Sequence, residues 1–311
     1  MSMTWDYADL KQYRKKIAEG MPPLIITCAV SGDHQKSENP NVPVTAEEQA
    51  DEAAKVYAAG AAIIHIHGRE AQEPSITSND PKRYYTINAM MRAKAPRIII
   101  DNTQTGTQMT VAAGELAGTL HRWLPPLAAK PEIMALNPGP MTFRGSMGHP
   151  SSTLVTTFDD TLRAAIAFRE HDIKPQVFLY HPGHLDLMDY LIQQNALTKP
   201  YFVQLVFGQQ SGIATSPDNV LNMVRNLPDG TVFQTCALGL EAIQMNTFAI
   251  LLGGHVRTGL EDNLQYQKGE LAKSNVQLVE RIVTMANALG RRVATGPEAR
   301  QLLGLGVPSS Y

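Results

Sequence analysis

Short apolar runs alternate with longer amphipathic segments from one end of the chain to the other. Leu24–Val30 is apolar, carries several β-branched residues and is followed by Ser31-Gly32-Asp33, so it reads as a buried strand that ends in a turn. Thr45 stands three residues before Glu48, the spacing at which each side chain satisfies a free backbone N–H at a helix start. Gly60 marks the expected stop of that helix. Ala61–His67 and Arg97–Thr103 are the second and third strands, and Ile133–Asn137, Gln176–Tyr180, Tyr201–Phe207 and Thr231–Ala237 supply four more. An eighth, Phe248–Arg257, is interrupted by Gly253-Gly254, which weakens a simple strand. Helical periodicity fills most of the gaps, as over Thr161–Glu170 and Ala272–Leu289.

Strands separated by helices predict a parallel α/β architecture. At 311 residues the chain is somewhat longer than the ~250 typical of a (β/α)8 barrel. No linker or charge run divides it, and Pro125-Pro126 and Pro138-Gly139-Pro140 read as loop punctuation. The expected organisation is a single TIM barrel over residues 23–311, preceded by an N-terminal extension over 1–22.

Composition narrows the function classes. A hydrophobic content of 43% against 18% charged residues excludes a disordered chain. The 27 basic and 29 acidic residues give a net charge of −2, which offers no basic face for nucleic acid. Cys28 and Cys236 are the only cysteines, so no disulfide framework is available; both sit in apolar runs and read as small core residues. The apolar stretches are broken well short of the ~20 residues of a membrane span. Met1 to Gln12 has no apolar region behind a basic start, so no secretory signal is read there. The expectation is a soluble, cytoplasmic, globular protein.

In such a barrel, chemistry sits at the C-terminal ends of the strands. Those ends read Ser31-Gly32-Asp33-His34, His65-Ile66-His67-Gly68-Arg69-Glu70, Asp101-Asn102-Thr103-Gln104-Thr105-Gly106, Asn137, His181-Pro182-Gly183-His184 and His255 through Asn263. Burying so many ionisable groups costs free energy unless they pair or bind something. His65 and His67 are two apart on a strand, so both imidazoles point to one face, as a divalent transition metal requires; a chance pair satisfied by local hydrogen bonds is the other reading. Glu261-Asp262 could supply the completing carboxylate and, from its neighbour, a general base whose charge Arg257 and the metal would set. The same pair is also what an ordinary helix start would carry. Thr103 through Gly106 suits a carboxylate or carbonyl oxygen, or a capping turn. Gly253-Gly254 admits either a ligand close to the backbone or tight strand–helix packing. His121, His149 and His171 show no partner pattern and read as surface or loop histidines. Neither a phosphate-binding P-loop nor a dinucleotide fingerprint is present.

Several ordered runs resemble the β-keto acid cleavage enzymes, the family founded on the 3-keto-5-aminohexanoate cleavage enzyme. They are Pro23 to Ala29, Pro40 to Gln49, His65-Ile66-His67-Gly68-Arg69, Gly253 to Asn263 and Lys268 to Asn275, in that order along about residues 22 to 305. The resemblance implies a Zn2+-dependent barrel, usually a homotetramer, that converts a β-keto acid and acetyl-CoA into acetoacetate and a new acyl-CoA. It places the metal on His65, His67 and Glu261, and the general base on Asp262, oriented by Arg257. Thr105-Gly106 falls on the turn that helps hold the substrate, with Thr103 and Asn137 as neighbours.

Two departures bear on the substrate. Where the founding member carries an acidic residue for a substrate amine, His34 is the nearest equivalent here, after Ser31-Gly32-Asp33. Where many members place an acidic residue on the fifth strand, this chain has Phe178 in Phe178-Leu179-Tyr180-His181-Pro182-Gly183. The resemblance then implies a neutral or anionic β-keto acid, with His34, His181 and Arg144 as the side chains that favour it. A metal-dependent aldolase, lyase or hydrolase working at the same site without CoA is the alternative enzyme, and a binding barrel without turnover is the alternative outside catalysis.

Overall fold

The computed structural model describes residues 9–104, 110–111, 125–143, 152–154 and 156–311. Eight of its strands close a parallel barrel: β1 (Ile26–Ala29), β2 (Ile63–Ile66), β3 (Ile99–Asn102), β4 (Ile133–Leu136), β5 (Lys174–Leu179), β6 (Tyr201–Phe207), β7 (Thr231–Ala237) and β8 (His255–Thr258). Each strand pairs with the next, and β8 returns to β1 with Arg257 opposite Thr27. The helices are α1 (Leu10–Glu19), α2 (Ala46–Ala59), α3 (Pro81–Lys94), α4 (Phe158–Glu170), α5 (His184–Gln193), α6 (Pro217–Arg225), α7 (Ala242–Leu251), α8 (Asn275–Ala288) and α9 (Gly296–Leu303). Between β3 and β4 the described residues show a two-residue strand at Thr110–Val111, paired antiparallel with Ser152–Leu154, and a 3-10 turn at Pro125–Ala129. Among the described residues no helix is long and apolar enough to cross a membrane.

The local signals act as their chemistry requires. Thr45 and Glu48 form the reciprocal capping box of α2, and Gly60 ends that helix in the left-handed conformation. The eighth strand is shorter than its apolar run. Phe248 to Leu251 close helix α7, and the strand begins only at His255. Gly253 turns the chain at φ 81°, and a Cβ on Gly254 would overlap the Phe233 ring, so the glycine pair serves tight packing.

Outward-facing residues such as Ile26, Cys28, Ile64, Ile66 and Ile100 pack on the helices in one large core. Inside the barrel, Ile25, Ile63, Ile99, Ile133, Phe202 and Val232 form a second cluster, plugged at the N-terminal end by Ala299 and Leu303 of α9. Above that plug the interior becomes polar: Thr27 donates to Gln234 at 2.8 Å and Gln234 to Gln204 at 2.6 Å, a chain that crosses the barrel. Glu132, buried at the foot of β4, is satisfied by Arg92 at 2.7 Å and Arg300 at 2.5 Å. The two cysteines are buried and free, as small core residues.

Two buried histidines serve the scaffold. His255 Nδ1 accepts the backbone N–H of Ile25 at 3.0 Å, and His184 Nδ1 accepts that of Tyr180 at 3.1 Å. A nitrogen that accepts cannot also carry a proton. Burial pushes His255 well below its ordinary value of 6.5, with Arg291 adding to the shift, and burial takes His184 to about 4. Both pKa values are lower folded than unfolded, so their contribution is complete above pH 6.5 and is lost as the pH falls toward the folded values. Each histidine steepens the loss by up to about 1.4 kcal/mol per pH unit. Replacing His255 by Asn, whose Oδ1 can accept the same N–H, should flatten the decline of unfolding free energy between about pH 6.5 and 5. Urea titrations across that range measure it; equal slopes in both proteins would contradict it.

Candidate active site

His65 lies on β2 and His67 just beyond it, at the C-terminal mouth of the barrel. Both side chains face the interior, as alternation requires, with ring centroids 5.5 Å apart. Gln49 of α2, fully buried, donates to the His67 carbonyl at 2.9 Å and fixes the strand end. Glu261 arrives from the loop after β8. Its Oε1 lies 3.7 Å from His65 Nε2 and 3.5 Å from His67 Nε2. Candidate ligand atoms of these three residues all fall within 4.8 Å of one another.

The loop that delivers Glu261 is built for that position. Gly259 has φ 142° and packs where a Cβ would overlap the Ala29 carbonyl. The Glu261 N–H donates to Ala29 O at 3.2 Å, and the Leu260 N–H to Asn275 Oδ1 at 2.9 Å. Asn275 Nδ2 in turn donates to the Val30 carbonyl and to Glu52, tying the loop to β1 and α2. Glu261 and Asp262 therefore sit in a turn, and the reading of this pair as a helix start does not hold: α8 begins only at Asn275.

Gly32 makes the opposite wall. It has φ +49°, and a Cβ there would stand 2.5 Å from Glu261 Cγ. Gly32→Ala should thus displace the carboxylate, with about a 100-fold loss of turnover, the scale of a 1 Å misplacement in a site. Steady-state kinetics together with metal content check this, and unchanged values for both would contradict it.

Charge is concentrated and paired. Arg257, on β8 and 4% exposed, makes a two-pronged contact with Asp262: Nε lies 3.0 Å from Oδ2 and Nη2 2.9 Å from Oδ1. Its Nη2 also donates to Glu261. Burial alone would weaken the guanidinium, but Asp262 and then Glu261 raise its pKa well above the ordinary value. Burial would likewise raise Glu261, yet Arg257 first, then His65 and His67, hold it well below the usual carboxylate range. Against the opposing effect of burial, Glu261 and Asp33 lift His67 to about 9.

Among the described residues, Arg257 Nη1, Glu261 Oε2 and Asp101 Oδ1 are buried side-chain atoms without a hydrogen-bond partner. Groups so costly to leave unpaired suggest a bound species that satisfies them. Two imidazoles and one carboxylate, converging with an orphaned carboxylate oxygen, fit a divalent metal ion with an open coordination position.

The other expected site residues divide. Asn137 is buried at the end of β4, its N–H donating to Gln104 Oε1 at 2.8 Å and its Oδ1 accepting from Tyr180 at 2.6 Å. Thr103 is buried just past β3. The His34 ring is 3.0 Å from Glu38 Oε1, a pairing outside the metal cluster. His181 stacks at 3.8 Å on His184. His171 is exposed at the end of α4. Thr105, Gly106, His121, Arg144 and His149 lie outside the described residues.

Sequence reasoning gave no role to Asp33, Asp101, Arg69 or Tyr180. Arg69, 2% exposed, shapes the loop after β1 by donating to the carbonyls of Gly32 and His34. Its place two residues after His67 was the available signal.

A family described as beta-keto acid cleavage enzyme matches residues 23–305. The chain is 36% identical over 286 residues to the 3-keto-5-aminohexanoate cleavage enzyme of Fusobacterium nucleatum, covering 92% of this chain and 99% of that protein. It is 30% identical to the 3-oxoadipate:acetyl-CoA acetyltransferase of Cupriavidus necator, over 91% of this chain and 95% of the relative. The solved apo structure of ObcA superposes with a TM-score of 0.69 at 18% identity, covering 86% of this chain and 66% of that one, which supports the barrel fold alone.

Proposed function

Because the chain belongs to the β-keto acid cleavage enzyme family, we propose that it exchanges acyl groups between a β-keto acid and acetyl-CoA, giving acetoacetate and a new acyl-CoA. Atoms balance without water or an oxidant: the acyl carbon of the keto acid passes to CoA, and its CH2–carboxylate fragment passes to the acetyl group. The observation that carries the proposal is the convergence of His65, His67 and Glu261 beside an Asp262–Arg257 pair whose guanidinium keeps one buried donor free.

His65, His67 and Glu261 would hold a divalent metal, Zn2+ by family resemblance. When bound, that ion supplies an electrophile able to polarise keto and carboxylate oxygens. Asp262 is the general base that removes the proton from the carbon between the two carbonyls of the keto acid. Arg257 holds Asp262 in place through Nε and Nη2, and its free Nη1 donates to the oxygen on which negative charge develops. Tyr180 fixes the Asn137 carboxamide at the mouth, leaving its NH2 for the substrate. By family resemblance Thr105 and Gly106 would help hold the substrate, with Thr103 as their neighbour. No covalent nucleophile is required, in keeping with the burial of both cysteines.

The substrate is a neutral or anionic β-keto acid. Glu261 and Asp262 are engaged by Arg257, Asp33 by His67 and Glu38 by His34, so these carboxylates are already committed. By family resemblance His34 stands where an amine-binding acid would be, so an imidazole replaces a free acid there. A homotetramer in the cytoplasm is the expected setting.

Following loss of β-keto acid with and without acetyl-CoA tests the reading. Loss only in its presence is expected. Equal loss in its absence would instead favour an aldolase or hydrolase at the same residues.

A further inference from the structure

Each metal-site histidine is gripped from behind by an aspartate. His65 Nδ1 lies 2.8 Å from Asp101 Oδ2, and strand register sets these two residues side by side on β2 and β3. His67 Nδ1 lies 3.1 Å from Asp33 Oδ1, on the loop after β1. Thr77 donates to that same Asp33 oxygen, and its Oγ1 is 3.4 Å from His67 Nδ1. The carboxylates accept, so each imidazole keeps a proton on Nδ1 and leaves Nε2, facing Glu261 in the cluster, as the nitrogen whose lone pair a metal would take. Without such a partner a neutral imidazole is free to flip its ring or shift its proton to the other nitrogen, and either change removes the ligand.

The two grips differ in setting. Asp101 is fully buried and held by its strand. The Asp33 side chain is 51% exposed, and its loop keeps its shape through Arg69, which donates to the carbonyls flanking it at Gly32 and His34. One ligand is therefore oriented by the rigid barrel wall and the other by a loop with access to solvent.

We infer that Asp33 and Asp101 are positioning residues that set metal affinity by fixing the tautomer and ring orientation of His67 and His65, with Thr77 aiming Asp33. The inference rests on the metal reading of the His65–His67–Glu261 cluster. Neither aspartate touches substrate in this account, so their loss appears first in metal binding.

The test measures Zn2+ affinity of the full-length protein by competition with a chromogenic chelator, with circular dichroism to confirm folding. Wild type, Asp33→Ala, Asp33→Asn, Asp101→Asn and a surface control, Asp51→Asn, are compared. Asp33→Ala should bind Zn2+ about 10- to 100-fold more weakly. Asp33→Asn should recover part of that loss, because the amide oxygen can still accept the Nδ1 proton. Asp101→Asn should weaken binding measurably but by less than Asp33→Ala, since its amide oxygen can likewise accept, while the control matches wild type; the Asn variant is chosen because removing the buried carboxylate outright endangers folding. Wild-type affinity in both Asp33→Ala and Asp101→Asn would overturn the inference and leave the metal reading standing. A raised KM for the keto acid with unchanged Zn2+ affinity in Asp33→Ala would also overturn it, assigning Asp33 to the substrate. Failure of wild type itself to bind Zn2+ would overturn the metal reading and the inference with it.

Discussion

Asp262→Asn is expected to lower turnover by about 100- to 10,000-fold, the usual contribution of a positioned general base, while leaving metal content near that of wild type. The separation follows from geometry. Asp262 is held by Arg257 and donates nothing to the cluster of His65, His67 and Glu261. Asparagine keeps an oxygen for the guanidinium, so the loop retains its shape, but an amide cannot take up the proton. Glu261 remains paired to Arg257 in the variant, so the cation is not left alone. Steady-state kinetics with metal analysis on the same sample check both halves. Activity within tenfold of wild type would place the base elsewhere.

Replacing Arg257 by Met should be the most damaging change to the folded state. It removes the cation shared by two carboxylates on consecutive residues, both largely buried. Breaking a buried ion pair by deleting one partner costs about 3–5 kcal/mol, since the remaining charge has lost both water and its counterion. Asp262 loses its counterion and Glu261 keeps only the imidazoles of His65 and His67, which puts the expected loss at the upper end of that range. Denaturant unfolding without metal measures it. Saturating Zn2+ should recover part of the loss, because a cation bound at Glu261 neutralises one of the stranded charges and stabilises only the folded chain. Stability equal to wild type without metal would contradict the place given to Arg257 at the centre of the site. Turnover should fall too, through loss of the Nη1 donor and of the grip on Asp262.

The convergence of His65 and His67 was legible in the sequence because strand alternation is a local rule: two residues apart means one face, and an apolar run ahead of them marks the strand. The barrel was legible for a similar reason, as each apolar run declares itself. The eighth strand was misplaced at its start because a short, wholly apolar run does not distinguish a buried helix from a buried strand. Phe248 to Leu251 finish a helix, and only the turn at Gly253 hands the chain on to His255. Glu261-Asp262 fitted a site or a helix start equally well until Gly259 and Asn275 were seen to fix the loop against β1. The outer aspartates were the least legible part. Asp33 and Asp101 appeared as polar strand ends, yet their partners lie 34 and 36 residues away, and no periodicity links residues across a crossover helix. Paired strands place Asp101 beside His65, whereas the loop held by Arg69 brings Asp33 to His67.

The measurement that bears most directly on the central claim follows the carbon atoms. Zn2+-loaded protein is incubated with acetyl-CoA carrying carbon-13 at both acetyl positions and with a panel of neutral and dicarboxylic β-keto acids, and the products are weighed by mass spectrometry. The account predicts acetoacetate labelled in its acetyl half and an unlabelled new acyl-CoA whose mass names the keto acid. Intact labelled acetyl-CoA throughout the panel, with the keto acids consumed, would contradict it.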